Sequence, residues 1–192
     1  MVTISTQMGA NTFYKYMDTF GIGHLTGIDL AWEAPGRLKS PGDADWYPVD
    51  LGTNSFGQGV AVTPIQMMAA VSAVSNHGRM VIPHVLYAMV RDGRQYEVPD
   101  QFGPTPISEQ TAHTLSEMLA VSLESESSAA LVPGYRVAGK TGTAQIPVDG
   151  FYDSTQTNTS FIGWGPVDDP KFMIYVWLER PTTSPWGSET AA

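Results

Sequence analysis

The unbroken apolar run Phe172-Met173-Ile174-Tyr175-Val176-Trp177-Leu178 constrains this chain most. It is far too short to cross a membrane, and its aromatic and β-branched side chains favour extended backbone. Both of its alternating faces are apolar, which predicts a strand covered on both sides. The strand is expected over Lys171 to Glu179 and follows two other strand-like segments, Tyr135 to Ile146 and Ser160 to Trp164. Gly165-Pro166-Val167-Asp168-Asp169-Pro170 makes a tight link between the last two. The expected architecture is therefore α+β, an antiparallel sheet covered by helices.

The helices announce themselves at their ends. Thr63-Pro64-Ile65-Gln66 combines an N-cap hydroxyl, proline at the first helical position and glutamine at the capping-box position. Ile65, Met68, Ala69, Ser72 and Ala73 share one face, His77 is expected in the last turn, and Gly78 supplies the stop. Ser108 is the expected cap of a second helix carrying Ala112, Leu115, Met118, Leu119 and Ser122, with a polar connection from Glu124 to Ala130. Val2 to Phe20 reads as two short helices broken around Gly9-Ala10-Asn11, with Asn11 capping the second and Gly21 stopping it. Thr26 to Leu30 is a short strand by composition, within a Gly-, Pro- and Asp-rich stretch from Gly21 to Gly59. Met80 to Val90 reads as extended, with Asp92-Gly93 as a hairpin turn before Gln95-Tyr96-Glu97-Val98.

Composition removes several function classes. Asp and Glu number 19 against 10 Lys and Arg, a formal charge of −9, where a groove following phosphates needs the opposite balance. Nucleic acid is thus excluded as a partner. The absence of cysteine excludes disulfides, thiolate metal sites and a cysteine nucleophile. His24, His77, His84 and His113 lack metal-ligand spacing and read as loop, helix-end, turn and helix-surface residues. Asp43, Asp45 and Asp50 read as a solvated acidic patch without a calcium-loop pattern. Neither a metal nor a cofactor is expected. Met67, Met68 and Trp177 are expected in the core, and Asp149-Gly150-Phe151-Tyr152-Asp153 as a loop.

The residues that carry chemistry are Val137-Ala138-Gly139-Lys140-Thr141-Gly142-Thr143-Ala144. On the strand expected there, Lys140 offers a fixed cation, Thr141 and Thr143 offer hydroxyls to a carboxylate, and Gly142 permits close approach of an extended peptide. The plain alternative is an ordinary strand with an exposed lysine and β-favouring threonines. This octapeptide, late in the chain and followed by two strands, resembles the third active-site motif of penicillin-binding proteins and serine β-lactamases. A second segment, Asn54-Ser55-Phe56-Gly57-Gln58-Gly59-Val60-Ala61-Val62-Thr63-Pro64-Ile65-Gln66, resembles the Gly-Gln-Gly loop and following helix of class B penicillin-binding proteins, and it disfavours a β-lactamase-like sensor. Met1 to Gly27, Pro83-His84-Val85, Pro133 to Gln145 and Ser184-Pro185-Trp186-Gly187-Ser188 resemble the same family in the same order.

The resemblance implies the penicillin-binding-protein transpeptidase fold, incomplete at both ends, with residues 1–192 as the C-terminal part of a single transpeptidase domain. It implies a peptidoglycan D,D-transpeptidase that works through a serine acyl-enzyme on the outer face of the bacterial cytoplasmic membrane, held there only by an anchor upstream. Lys140 and Thr143 are then catalytic, the backbone N–H of Thr143 being one oxyanion donor. Lys140, Thr141, Gly142, Thr143 and Gln145 are the substrate-binding residues, and stem peptides and β-lactams the ligands. The family's Ser-x-x-Lys is absent, since none of Lys15, Lys39, Lys140 and Lys171 follows a serine by three positions. Ser-x-Asn is absent too, because Ser75 and Asn76 are adjacent. The chain alone is thus expected to be inactive, to need the missing N-terminal part of the domain, and to self-associate through uncovered sheet around Phe172 to Leu178. The alternative is a non-catalytic module of the same fold that binds wall peptide or a partner.

Overall fold

The computed structural model of the chain describes residues 1–126, 128–148 and 151–192, with side chains at all of these except 148, 151 and 153–155. It divides into two compact units, Met1–Ser108 and Glu109–Ala192.

The first unit is mainly helical. α1 (Val2–Met8) and α2 (Ala10–Thr19) are separated by Gly9, which is the N-cap of α2 at φ 81°. Asn11 therefore lies inside the helix and does not cap it. A glycine that adopts left-handed backbone without strain turns the chain one residue pair earlier than the side-chain signal implied. Gly21 does end α2, at φ 75°, with its N–H on the carbonyl of Asp18.

Thr26 to Leu30 forms no strand. Its backbone donors are taken by side chains: the Glu33 carboxylate accepts from the N–H groups of Thr26 (2.7 Å) and Gly27 (3.1 Å) and from the Thr26 hydroxyl. Asp29 reaches outward to accept from the N–H groups of Val85 (2.6 Å) and Leu86 (2.8 Å). Local side-chain bonds of this kind compete with a sheet ladder, and here they win. Those two backbone donors hold the Asp29 carboxyl below the usual carboxylate range, aided by the charge of His84.

β1 (Arg37–Leu38) pairs antiparallel with β2 (Val60–Ala61). Between them lies α3 (Pro48–Asn54), a helix started by Tyr47 as N-cap, Pro48 at the first position and Asp50 reaching back to the Tyr47 N–H at 2.7 Å. Asp50 corrects the acidic-patch expectation. It is 6% exposed and paired with Lys39 Nζ at 2.6 Å. Asp45 likewise pairs with Arg37, and Asp43 accepts from the Ser40 N–H. At the far end of α3, Tyr14 Oη accepts from Asn54 Nδ2 and from Trp46 Nε1, both at 2.9 Å, which ties α2 to the segment preceding Gly57-Gln58-Gly59.

α4 (Pro64–Ser75) begins as its capping box dictates: Thr63 Oγ1 accepts from the Gln66 N–H at 3.2 Å, and Gln66 Oε1 accepts from the Thr63 N–H at 2.9 Å. The side-chain amide of Gln66, 1% exposed, also donates to the carbonyls of His24 and Pro35, so one residue starts the helix and pins the long loop across it. Ala69, Ser72 and Ala73 are buried, while Ile65 and Met68 are half-buried. The helix stops short of His77, which has φ 52°, and Gly78 follows at φ 89°. β3 (Val81–Ile82) pairs with β6 (Gln101–Phe102), and β4 (Ala88–Arg91) with β5 (Arg94–Glu97) across the expected Asp92-Gly93 turn, where both residues have positive φ.

The second unit is the sheet that the apolar run demanded. β7 (Ala138–Val148), β8 (Phe151–Gly165) and β9 (Phe172–Glu179) lie in that order, antiparallel, with α5 (Glu109–Ser125) and α6 (Gly187–Thr190) packed on them. Glu124 and Ser125 thus belong to α5 and not to a connection. Leu123, Phe161 and Ala191 form the core beneath the helices, joined by Val137 and Val176. Trp164, at 2% exposure, is the buried tryptophan, whereas Trp177 is 47% exposed and not a core residue. β9 is also not covered on both sides: Phe172 (58%) and Ile174 (52%) are open on the face that Val176 shares with the core. Asp149 and Gly150, in the expected loop after β7, lie outside the described residues.

Candidate active site

Lys140, Thr141, Gly142, Thr143 and Gln145 all lie on β7, an edge strand of its sheet, in unbroken register with β8. The ladder pairs Lys140 with Ile162, Gly142 with Ser160, Thr143 with Thr159 and Gln145 with Thr157, and the register shifts immediately after Gln145. Such a shift kinks a strand and marks where its regular surface ends. The five residues therefore occupy the straight part of an edge, before a bend.

Alternation sends Lys140 and Gly142 to one face and Thr141 and Thr143 to the other, the helix face that also carries Thr157, Thr159 and Phe161. The Lys140 side chain is exposed, and its ammonium reaches the carbonyl of Thr141 at 3.1 Å and Thr141 Oγ1 at 3.2 Å. An ammonium only donates, so the Thr141 hydroxyl accepts there and keeps its own proton for another partner. Thr143 is placed the same way from the other side: its Oγ1 accepts from the Gly187 N–H at 3.0 Å. The cation and two hydroxyls with protons to spare form a short array of donors along an edge that no strand occupies among the described residues. Chemically, it suits a carboxylate on an extended peptide.

The glycines around this array are there for packing. A Cβ on Gly142 would meet Ser160 Oγ at 2.5 Å, and one on Gly139 would meet Phe161 Cζ at 2.6 Å. The Phe161 ring also fills the space over Gly163, so the strand pair ahead of Lys140 is set by an aromatic ring lying on two bare backbones.

Two residues of the site carried no role in the sequence reading. Arg136, just before β7, makes paired bonds from Nη1 and Nη2 to the Glu117 carboxylate of α5 at 2.8 and 2.9 Å, and a third from Nε to Glu124 at 3.3 Å. The Arg136 bonds hold the Glu117 carboxyl below its ordinary range, and the same partners raise Arg136. This fork anchors the start of the Lys140 strand to the long helix. Gly187 is the other; its partner is 44 residues away, beyond the reach of any local pattern.

Two histidines away from β7 form carboxylate pairs. His24 Nε2 meets Asp18 Oδ1 at 2.7 Å, and His84 Nε2 meets Asp100 Oδ1 at 3.7 Å, carboxylate partners that the sequence spacing did not reveal. Among the described residues, no three His, Asp or Glu side chains converge as a metal ion would need.

Comparison with known proteins finds relatives along the whole chain. The penicillin binding protein transpeptidase domain matches residues 1–192. Stage V sporulation protein D of Bacillus subtilis is 39% identical over 196 residues, covering 100% of this chain and 30% of its own length. PbpB of Mycobacterium tuberculosis is 32% identical, covering 96% of this chain and 29% of its own. Among solved structures, penicillin-binding protein 3 of M. tuberculosis complexed with ampicillin superposes with TM-score 0.84 at 30% identity, over 94% of this chain and 42% of that one. Its apo form gives 0.86 over 99% of this chain and 44% of that one. The chain thus spans about a third of the length of the curated relatives it matches. A match over every residue, with the same fold at 30% identity, places the chain in the penicillin-binding-protein transpeptidase family.

Proposed function

We propose that the chain is part of a peptidoglycan D,D-transpeptidase, contributing the Lys-Thr-Gly strand to a site whose nucleophilic serine lies on a segment outside these 192 residues. The observation that carries this reading is the donor array of Lys140, Thr141 and Thr143 on the open edge of β7. In this reading residues 1–192, both compact units together, belong to one transpeptidase domain. The serine attacks the carbonyl of the penultimate D-Ala of a stem peptide, and terminal D-Ala leaves with a proton. The acyl ester then passes to the amine of a neighbouring stem peptide. Lys140 supplies positive charge beside the serine, the Thr143 N–H is one oxyanion donor, and Thr141 and Thr143 bind the terminal carboxylate. Gly142 and Gln145 border the peptide. β-Lactams enter by the same route, as the ampicillin complex of the M. tuberculosis relative supports.

Covalent catalysis needs the activated hydroxyl itself, and no Ser-x-x-Lys occurs in the sequence. The isolated chain therefore forms no stable adduct. Its expected place is the outer face of the cytoplasmic membrane; no helix among the described residues is long and apolar enough to cross one. A fluorescent penicillin tests the proposal. The chain alone stays unlabelled, co-expression with a segment bearing Ser-x-x-Lys restores labelling, and Lys140→Ala abolishes it. Labelling that no such segment restores would point to a binding module without catalysis.

A further inference from the structure

The segment Ser184-Pro185-Trp186-Gly187-Ser188 lies against the helix face of the sheet on a row of hydroxyls. The carbonyl of Pro185 accepts from Thr157 Oγ1 at 2.8 Å, Thr190 Oγ1 bonds Thr159 Oγ1 at 2.9 Å, and the Gly187 N–H donates to Thr143 Oγ1 at 3.0 Å. Thr143 and Thr159 are direct cross-strand partners, so the segment is fastened on both strands beside the Lys-Thr-Gly motif. Position 187 admits no side chain. A Cβ there would press into the Gly142 carbonyl oxygen and come within 3.2 Å of the Ser160 carbonyl oxygen.

We infer that Gly187 is a positioning residue for the transpeptidase site: its N–H commits the Thr143 hydroxyl to donate toward the ligand carboxylate. This inference rests on the transpeptidase reading above. A threonine hydroxyl has one proton and can accept as well as donate, so an untethered one rotates among several orientations. With its oxygen already accepting from an amide that can only donate, the rotamer pointing the proton at Gly187 is excluded. The proton is left for a partner on the open side. Fixing the donor before the ligand arrives removes part of the ordering cost of binding and directs the dipole at the negative charge. The absence of a side chain at 187 is what lets the amide come this close.

The test compares a penicillin bearing its free carboxylate with the methyl ester of the same compound, using the protein completed by the Ser-x-x-Lys segment. Wild type should acylate faster with the carboxylate. Gly187→Ala should slow carboxylate acylation about tenfold through weaker binding, and slow the ester by less than about twofold, because only the charged ligand uses the directed proton. Should Gly187→Ala fail to fold, Thr190→Val loosens the same segment with Gly187 and Thr143 both intact. It should show the same selective loss in smaller measure, and Thr190→Ser should restore the wild-type ratio. Equal losses on both compounds, or no loss on either, would overturn the positioning role alone. A wild type that acylates both compounds equally would likewise overturn the positioning role and leave the transpeptidase reading standing, whereas one that acylates neither would overturn that reading and this role with it.

Discussion

The Phe161 ring occupies the space that a side chain on Gly139 would need, with Cζ 2.6 Å from the position of a Cβ. Gly139 immediately precedes Lys140 on β7, Phe161 lies on β8 opposite Thr141, and Phe161 is also part of the core beneath α5 and α6. Ring, strand and site therefore shift together or not at all. Gly139→Ala should destabilise the protein by about 1–3 kcal/mol, the ordinary cost of overpacking a filled core. Phe161→Leu should make the same alanine cheaper, so thermal melts of the two single variants and the double variant should be non-additive in the recovering direction. Strict additivity would show that the ring is free to move aside.

Gln66 joins three backbone groups: the Thr63 N–H and the carbonyls of His24 and Pro35. Thr63→Ala removes only the cap and should cost about 1 kcal/mol. Gln66→Leu also breaks both bonds to the loop carbonyls of His24 and Pro35 and should cost roughly 2–3 kcal/mol. Denaturant titration of both variants measures the order; a Thr63 variant less stable than the Gln66 variant would contradict the loop-pinning role.

This residue also shows what the sequence could and could not convey. The capping box was legible because both partners lie within four positions, and the same holds for the Asp92-Gly93 turn and for the apolar run that marks β9. The second use of Gln66 was not legible, since His24 lies 42 residues away and backbone carbonyls leave no mark on composition. α3 escaped notice because its signal, Tyr47-Pro48 with Asp50 three residues on, was hidden in a stretch otherwise full of turn residues. The false strand at Thr26 to Leu30 came from composition alone, where Glu33 had already claimed the backbone donors. At the candidate site the motif on β7 was readable, while Arg136 and Gly187 act through contacts that only the folded chain brings about.

Asp50 should make part of the stability depend on acid. Burial pushes its carboxyl upward, but the Lys39 hydrogen bond, the Tyr47 N–H and the Lys39 charge outweigh it and leave it below the ordinary value. A carboxyl lowered on folding binds fewer protons in the folded state, so its contribution is full above the unfolded pKa of about 3.9 and disappears as pH falls through the lower folded value. Asp50→Asn should therefore lower Tm most near neutral pH, and the gap to wild type should close below about pH 4. A gap that is constant down to pH 2 would mean that the Lys39 pair contributes nothing.

Phe172 and Ile174 stand open on the edge strand β9. Unpaired edges with exposed apolar side chains favour association. The isolated chain should therefore scatter light as a concentration-dependent mixture of monomer and larger species. Replacing Phe172 and Ile174 with lysine should shift that mixture toward monomer. A monodisperse monomer at high concentration in the unaltered chain would refute this.

The hydrogen bond from Gly187 to Thr143 spans 44 residues. A Lys-Thr-Gly-Thr tetrapeptide grafted onto an unrelated edge strand would reproduce the side chains and lose the amide that orients one of them. Engineering this chemistry into another scaffold therefore means moving two pieces of chain, the tetrapeptide and the bare backbone that lies across it.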